Sequence, residues 1–359
     1  MVLSLFIWIP VLGALIVSLY PGELTASQAR KGAIATWIGL VITTAIAIGQ
    51  FDIHLSGWQL AESMEWIPGL GLAYHLGVDG LSFPLLVLNT LLMGVAIFST
   101  QPDIQRPRFY YALLLVLCAG VTGAFVARDL LLFFLFYELE LIPLYFLIAI
   151  WGGVRRGYAA TKFLIYTAIS GILLLAAFLG LAASTGFTSF SYDVLQDFTA
   201  GQGGGAIAAG SQLILLLLIM VGFGIKTPLV PLHTWLPDAH VQASTPISVL
   251  LAGVLLKLGT YGILRFGLQL FPAAWNQISP FLALWATISV LYGAFAAISQ
   301  AIALADMKKM VAYSSVGHMG FILLAAAAAT PESLMGAECQ MVAHGLISAL
   351  LFLLVGIIY

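Results

Sequence analysis

The chemically most informative residue of this chain is a lysine inside an apolar run. Lys226 lies within residues 213–235, LILLLLIMVGFGIKTPLVPLHTW, and Pro228 follows two residues later. A cation at bilayer depth is costly and is usually retained for ion or proton transport. Because a proline removes a helix hydrogen bond, it frees backbone carbonyls beside the charge. This combination is typical of a transporter site.

Further ionisable groups recur in other apolar runs. At 1.5 Å per residue, Glu138 lies about 14 Å into its run, Lys257 about 18 Å and Lys226 about 22 Å, so all three lie well inside the membrane. Two histidines in later runs can take or release a proton near neutral pH. The sequence therefore predicts a proton path whose members are Glu138, Lys226, Lys257, His318 and His344.

A second carboxylate complicates the choice of partner for Lys226. Glu138 and Glu140 are two residues apart, which is about 200° of helix rotation, so at most one shares an interior path with the lysine. The other is expected to meet a neighbouring helix or a partner subunit. Burial disfavours both charged forms and pairing restores them. A lysine with a switchable carboxylate is thus a proton site with two affinities.

A structural interpretation competes with each of these assignments. A buried lysine can be locked in a static ion pair with a glutamate, and a single buried histidine can simply be a satisfied core group. Arg128 and Arg265, near helix ends, are predicted to be interfacial anchors.

Three prolines make a continuous helix beyond Lys226 improbable. Pro228, Pro231 and Pro237 fall in KTPLVPLHTWLPDAH. Backbone released there must face protein or water, which favours a hydrated cavity beside the lysine; a plain kink is the alternative. His233, Asp238 and His240 are placed toward the cytoplasmic mouth, with His233, Asp238 and Glu140 as secondary site residues.

Composition dictates the elements that position these groups. The 359 residues are 62% hydrophobic and 8% charged, which excludes a soluble domain. Continuous apolar runs of about 20 residues predict an all-α, multi-pass membrane protein rather than a barrel of short alternating strands. The predicted spans are 1–20, 33–51, 81–100, 109–127, 129–151, 162–184, 211–236, 245–271, 278–303, 309–330 and 337–359.

No cofactor site is indicated within the chain. Cys118 and Cys339 stand alone, so the sequence offers no cysteine cluster for iron-sulfur or zinc. The glycines at 201–205 lie in a polar connector and open no strand-turn-helix unit. Nucleotide binding and nucleic-acid binding are not predicted.

The basic residues predict an orientation. Nine of the thirteen Lys and Arg fall in odd-numbered connectors, whereas the long connector 51–80 has acids and histidines but no Lys or Arg. The positive-inside rule places the odd connectors in the cytoplasm and the N-terminus on the opposite side. The last run is still apolar at Tyr359, and the natural protein is expected to continue beyond it.

Four stretches closely resemble one family, the antiporter-like M-type or chain 4 subunit of complex I and its photosynthetic relatives, the NAD(P)H-quinone oxidoreductases. The resemblance covers most of the chain from residue 79 onward. Its motifs are residues 136–153 (FYELELIPLYFLIAIWGG), 224–265 (containing KTPLVPLHTWLPDAH), 306–320 (DMKKMVAYSSVGHMG) and 344–359 (HGLISALLFLLVGIIY).

The resemblance implies fourteen core helices and two inverted five-helix repeats, each with a broken helix that carries a central charge. It divides the chain into N-terminal helices (1–108), the first repeat (109–271) and the start of the second repeat (278–359). Glu138 matches the glutamate that pairs with Lys226. Lys257 matches a lateral proton carrier, and His318 and His344 match the central hydrophilic axis.

The family relationship also implies a function and partners. This chain would move protons, driven by electron transfer from NAD(P)H or ferredoxin to plastoquinone in other membrane and peripheral subunits. Iron-sulfur clusters and quinone are expected on those partner subunits. The sequence FYELELIPLYFL resembles that of cyanobacterial thylakoid complexes, including the variant linked to carbon dioxide uptake. The open alternatives are a multisubunit cation/proton antiporter, an energy-converting hydrogenase and an assembly scaffold.

Overall fold

The computed structural model is an all-helical bundle apart from one small hairpin. It describes residues 1–186, 189–201, 207–304 and 306–358. Within these ranges, eleven helices are long and apolar enough to cross a membrane. The predicted number of spans and the all-α membrane class are thereby confirmed. Residues 202–205 of the glycine-rich stretch lie outside the described residues, and so does Tyr359.

The elements follow one another in chain order with short connectors. They are α1 (Val2–Leu19), α2 (Ala26–Gln50), β1 (Gln59–Ile67), β2 (Leu72–Val78), α3 (Ser82–Ser99), α4 (Pro107–Val126), α5 (Leu130–Leu139), α6 (Leu141–Trp151), α7 (Arg156–Ser184), α8 (Tyr192–Thr199), α9 (Ala209–Lys226), α10 (Trp235–Gln242), α11 (Thr245–Leu250), α12 (Leu256–Gly262), α13 (Pro272–Ser299), α14 (Met307–Ala328) and α15 (Pro331–Ile358). π-helical turns occupy Leu251–Leu255, Ile263–Leu268 and Gln300–Leu304.

The predicted break after Lys226 is present. Helix α9 ends at Lys226, residues 227–234 are non-helical, and α10 starts at Trp235. The prolines account for this, since they can supply no N–H to a continuing helix. Two further irregularities were not predicted. The span Leu130–Trp151 is interrupted at Glu140, and the span Thr245–Leu268 contains two π-helical turns on either side of α12.

The long connector after α2 forms a hairpin rather than an open loop. Strands β1 and β2 pair antiparallel, with Met64 opposite Tyr74. Arg265 is only 4% exposed and lies 2.5 Å from a carboxylate oxygen of Asp79. Its guanidinium also lies 4.4 Å from the ring centre of Trp58, which Arg128 approaches at 4.9 Å. The prediction that Arg265 is an interfacial anchor is wrong, because Trp58 and Asp79, which flank the hairpin in the connector, cover it.

Helices α13 and α14 meet at two glycines. A Cβ added at Gly293 would lie 2.4 Å from the backbone nitrogen of Gly317. Such a distance is far inside van der Waals contact. The two helices therefore approach each other more closely than any larger side chain permits.

Gly293→Ala is expected to destabilise the protein by about 1–3 kcal/mol, because the methyl group forces the two helices apart. Thermal unfolding in detergent measures this as a lower midpoint. Gly336→Ala in α15 is the matched control, since a Cβ there meets no described atom within 4 Å. Equal midpoints for the two variants would contradict the close contact.

Candidate functional site

The centre of the bundle holds a buried ion pair at the broken helix. The Lys226 ammonium contacts Oε1 of Glu140, and the two side chains are 1% and 0% exposed. The ammonium also lies 4.7 Å from the ring centre of Tyr137. Lys226 is the last residue of α9, so the negative end of the helix dipole adds to its stabilisation. Carboxylate, aromatic face and helix end together hold a cation away from water.

The expected pairing of Lys226 with Glu138 is wrong in this structure, as is the expectation that Glu140 points elsewhere. Tyr137 and Glu140 are three residues apart and share the helix face that points to Lys226. Glu138 lies on the opposite face, against α7. A Cβ at Gly171 would fall 2.0 Å from Oε1 of Glu138, and this oxygen has no hydrogen-bond partner among the described residues.

A hydrogen-bond chain fixes the wall around the pair. The Tyr137 hydroxyl lies 2.8 Å from Oγ of Ser170, and Ser170 donates to the carbonyl of Gly222 at 2.7 Å. Helices α5, α7 and α9 are thus joined beside Lys226. Sequence reasoning missed Ser170, because nothing in its helix distinguishes it from other small residues.

Three other predicted residues lie together: Lys257 on α12, His318 on α14 and His344 on α15. The Lys257 ammonium lies 2.7 Å from Nδ1 of His344 and donates to the carbonyl of Ala252 at 2.6 Å. Nε2 of His344 lies 3.1 Å from Oγ of Ser315. The His318 and His344 ring centres are 5.2 Å apart, and Nδ1 of His318 lies 3.0 Å from Nε2 of Gln340. Three of the five predicted residues therefore form one cluster.

Thr227 lies where the end of α9 contacts α12. It follows Lys226 directly, and its buried hydroxyl has no hydrogen-bond partner among the described residues. A Cβ at Gly259 would lie 2.4 Å from that hydroxyl and 2.7 Å from the Thr227 backbone nitrogen. Gly259 and Lys257 are two residues apart, which is about 200° of helix rotation, so Lys257 points away from Thr227. Helix α12 therefore lies between the two charged centres.

The secondary residues lie beyond the break. Asp238 forms an ion pair with Lys162 at 2.7 Å. The ring of His233 packs against Tyr292, at 4.9 Å between ring centres. Neither ring nitrogen of His233 has a hydrogen-bond partner in the described part of the chain. Their placement toward the cytoplasmic mouth stays a prediction.

Comparison with known proteins resolves the family. Residues 127–359 match the family described as NADH:quinone oxidoreductase/Mrp antiporter, transmembrane. The chain belongs to this family. The matched region includes all five predicted proton-path residues, from Glu138 to His344.

Two similar proteins of this family come from cyanobacteria. The chain is 42% identical to the NAD(P)H-quinone oxidoreductase chain 4 3 of Picosynechococcus sp. and to chain 4 of Prochlorococcus marinus strain NATL1A, in each case over 99% of its length. It spans 63% and 65% of those two proteins. The chain thus corresponds to about two thirds of its curated relatives.

Solved structures of the antiporter family share the fold. A chain of respiratory complex I from Thermus thermophilus superposes with a TM-score of 0.85 at 29% identity, covering 100% of this chain and 71% of that one. A chain of the Mrp complex from Dietzia sp. DQ12-45-1b gives 0.84 at 24% identity, covering 100% and 38%. The second likeness concerns the fold alone.

Proposed function

We propose that this chain is the proton-translocating membrane subunit of an NAD(P)H/ferredoxin–plastoquinone oxidoreductase. The single observation that carries the proposal is the buried Lys226–Glu140 ion pair at a helix break. The names of the 42% identical relatives support the quinone-reducing context. Electron transfer, with its iron-sulfur clusters and quinone, is assigned to partner subunits.

The proposed mechanism uses the ion pair as a two-state switch. With the pair closed, Glu140 and Lys226 each favour the charged form of the other. With the pair open, burial favours both neutral forms, so the ammonium releases its proton to the next site on the path and the Glu140 carboxylate takes up the next one. A distant event drives this step if it changes the Glu140 to Lys226 separation, because the coupling is then a difference in pairing energy between two states. The redox reaction in the partner subunits supplies that event.

Lys257 and the histidines form the proposed next stage. The proton leaving Lys226 passes Thr227 and α12 to reach the Lys257–His344 pair, and His318 continues the path laterally. His233 and Asp238 serve the opposite end, at the mouth. Glu138, without a cation in contact, is a reserve carboxylate that can approach the lysine when α5 and α6 shift about their junction.

The distribution of Lys and Arg supports an orientation of the chain in the membrane. We place the odd connectors, with nine of the thirteen Lys and Arg, in the cytoplasm. The N-terminus is then lumenal in a cyanobacterial thylakoid membrane, as the organisms of the relatives suggest.

The test is proton uptake by the assembled complex in membrane vesicles whose cytoplasmic side faces outward, followed with a pH-gradient dye. Reduced ferredoxin or NADPH with a plastoquinone analogue is expected to drive uptake at the same rate with or without Na⁺. Exchange of Na⁺ for H⁺ without an electron donor would instead identify a cation/proton antiporter. Uptake linked to hydrogen production would identify an energy-converting hydrogenase.

A further inference from the structure

The last turn of α5 leads to the ion-pair carboxylate but is not continuous with α6. Pro143 has no N–H group, so the carbonyl of Leu139 lacks its helical donor, and α5 ends at Leu139. Glu140 lies at the junction of the two helices. Because α6 does not continue α5, other helices must fix the rotation of this last turn. That rotation decides whether Glu140 or Glu138 faces Lys226, since the two glutamates point about 200° apart.

Ser170 on α7 supplies a contact that fixes this turn. Its hydroxyl lies 2.8 Å from the Tyr137 hydroxyl and donates to the carbonyl of Gly222, on α9, at 2.7 Å. A carbonyl can only accept, so the one hydroxyl proton of Ser170 is committed to Gly222. The Tyr137 hydroxyl is therefore the donor to Ser170. This chain of hydrogen bonds ends at a backbone carbonyl, so it holds the Tyr137 ring in place and cannot pass a proton onward.

The Tyr137 ring held in this way lies over the lysine, in a fully packed part of the bundle. Tyr137 and Ser170 are 1% and 0% exposed, and the Lys226 ammonium lies 4.7 Å from the ring centre. Gly222 precedes Lys226 by one turn of α9. A cavity of about 880 Å³ lies next to the α10–α11 connector, and neither Ser170 nor Lys226 lines it. The hydrated cavity predicted beside the lysine is thus found elsewhere, away from these hydrogen bonds.

Gly171, the neighbour of Ser170, receives the other glutamate. A Cβ at Gly171 would overlap Oε1 of Glu138, so the glycine leaves the space that this carboxyl group occupies. Two adjacent residues of α7 therefore hold two adjacent residues of α5. Ser170 holds Tyr137 by a hydrogen bond, and Gly171 accommodates Glu138 by shape.

We infer that Ser170 is a positioning residue, which acts through Tyr137 to select the carboxylate of the switch. With the Ser170 hydroxyl in place, Glu140 faces Lys226 and Glu138 is held against α7. Without it, the buried Tyr137 hydroxyl loses its partner, and the last turn of α5 is free to rotate. Glu138 then competes for the lysine. The inference rests on the proposed function, because it concerns the carboxylate that takes part in the switch.

Infrared difference spectroscopy of the assembled complex during electron transfer tests the inference, because it detects the carboxyl group that gains a proton. In Ser170→Ala, both glutamates are expected to contribute to the carboxyl band. The band therefore persists when Glu140→Gln is added and disappears when Glu138→Gln is added as well. A band that still requires Glu140 in Ser170→Ala overturns the inference, even if pumping falls, and assigns Ser170 to packing.

Pumping in vesicles provides a second measurement with a matched control. Ser170→Ala is expected to lower the protons pumped per electron by about two- to tenfold, the range that the loss of one hydrogen bond allows. Thr167 is also buried in α7, and its hydroxyl donates to the carbonyls of Phe163 and Leu164 in the same helix. Thr167→Val is therefore expected to pump like the wild type. Equal pumping by the two variants overturns the inference.

Tyr137→Phe guards against a folding defect in Ser170→Ala. It keeps the ring over Lys226 and removes only the hydroxyl, so the carboxyl band is again expected to depend on both glutamates. A band that still requires Glu140 in this variant contradicts the positioning role.

Glu140→Gln alone separates the two proposals. If it is defective while Ser170→Ala and Tyr137→Phe change neither pumping nor the band, the positioning role alone fails. If Glu140→Gln pumps normally, the proposed function fails.

Discussion

Glu140→Gln is expected to lower proton pumping per electron by about tenfold or more, whereas Glu138→Gln stays within about twofold of wild type. The amide cannot carry the charge that faces Lys226. Losing one partner of a buried pair costs about 3–5 kcal/mol, and a tenfold change in an equilibrium or rate needs only about 1.4 kcal/mol. Glu138 has no described ion-pair partner, so its loss removes less.

The two glutamates form a matched pair for this measurement. They differ by two positions, carry the same side chain and flank the same helix junction, so a general disturbance of α5 affects both variants alike. Dye quenching in vesicles, divided by the rate of quinone reduction, gives the ratio of interest. A larger defect in Glu138→Gln than in Glu140→Gln would contradict this prediction. It would identify Glu138, the carboxylate that the family resemblance selected, as the functional partner of Lys226.

Lys226→Met is expected to destabilise the assembled subunit by about 3–5 kcal/mol, because it leaves the fully buried Glu140 carboxylate without its cation. The double variant Lys226→Met with Glu140→Gln removes both charges and is expected to recover most of that stability. Neither variant is expected to pump. Thermal unfolding of the purified complex and vesicle pumping measure the two properties separately.

The double variant distinguishes a proton switch from a static structural pair. If the pair served folding alone, removing both charges would restore pumping together with stability. Recovery of pumping in the double variant would therefore contradict the proposed mechanism. Recovery of stability alone agrees with it.

Sequence reasoning predicted the membrane architecture well, because its signals are local. Continuous apolar runs predicted eleven spans, and the prolines after Lys226 predicted the helix break. The hairpin within residues 59–78 was missed, since its strands show no clean alternation of apolar and polar residues and its burial pattern is irregular. The buried state of Arg265 was also missed, because its cover comes from Trp58 and Asp79, the residues that the hairpin brings together at its base.

The sequence did not predict which of the two glutamates contacts Lys226. Helix rotation correctly placed Glu138 and Glu140 on different faces, yet it could not say which face looked inward. The resemblance matched Glu138 to the carboxylate that pairs with Lys226. In the structure, the ring of Tyr137 lies over Lys226, and the residue one turn later, Glu140, shares that face. Which of the two helix faces meets Lys226 depends on how α5 packs against α9, and that packing is not a local property of the sequence.

Infrared difference spectroscopy of the complex during electron transfer tests the central claim most directly, because a carboxyl group that gains a proton acquires a C=O stretch that shifts in D₂O. This band is expected on turnover in the wild type and in Glu138→Gln. It is expected to be absent in Glu140→Gln. A band that persists in Glu140→Gln and disappears in Glu138→Gln would contradict the assignment of Glu140 as the switching partner of Lys226.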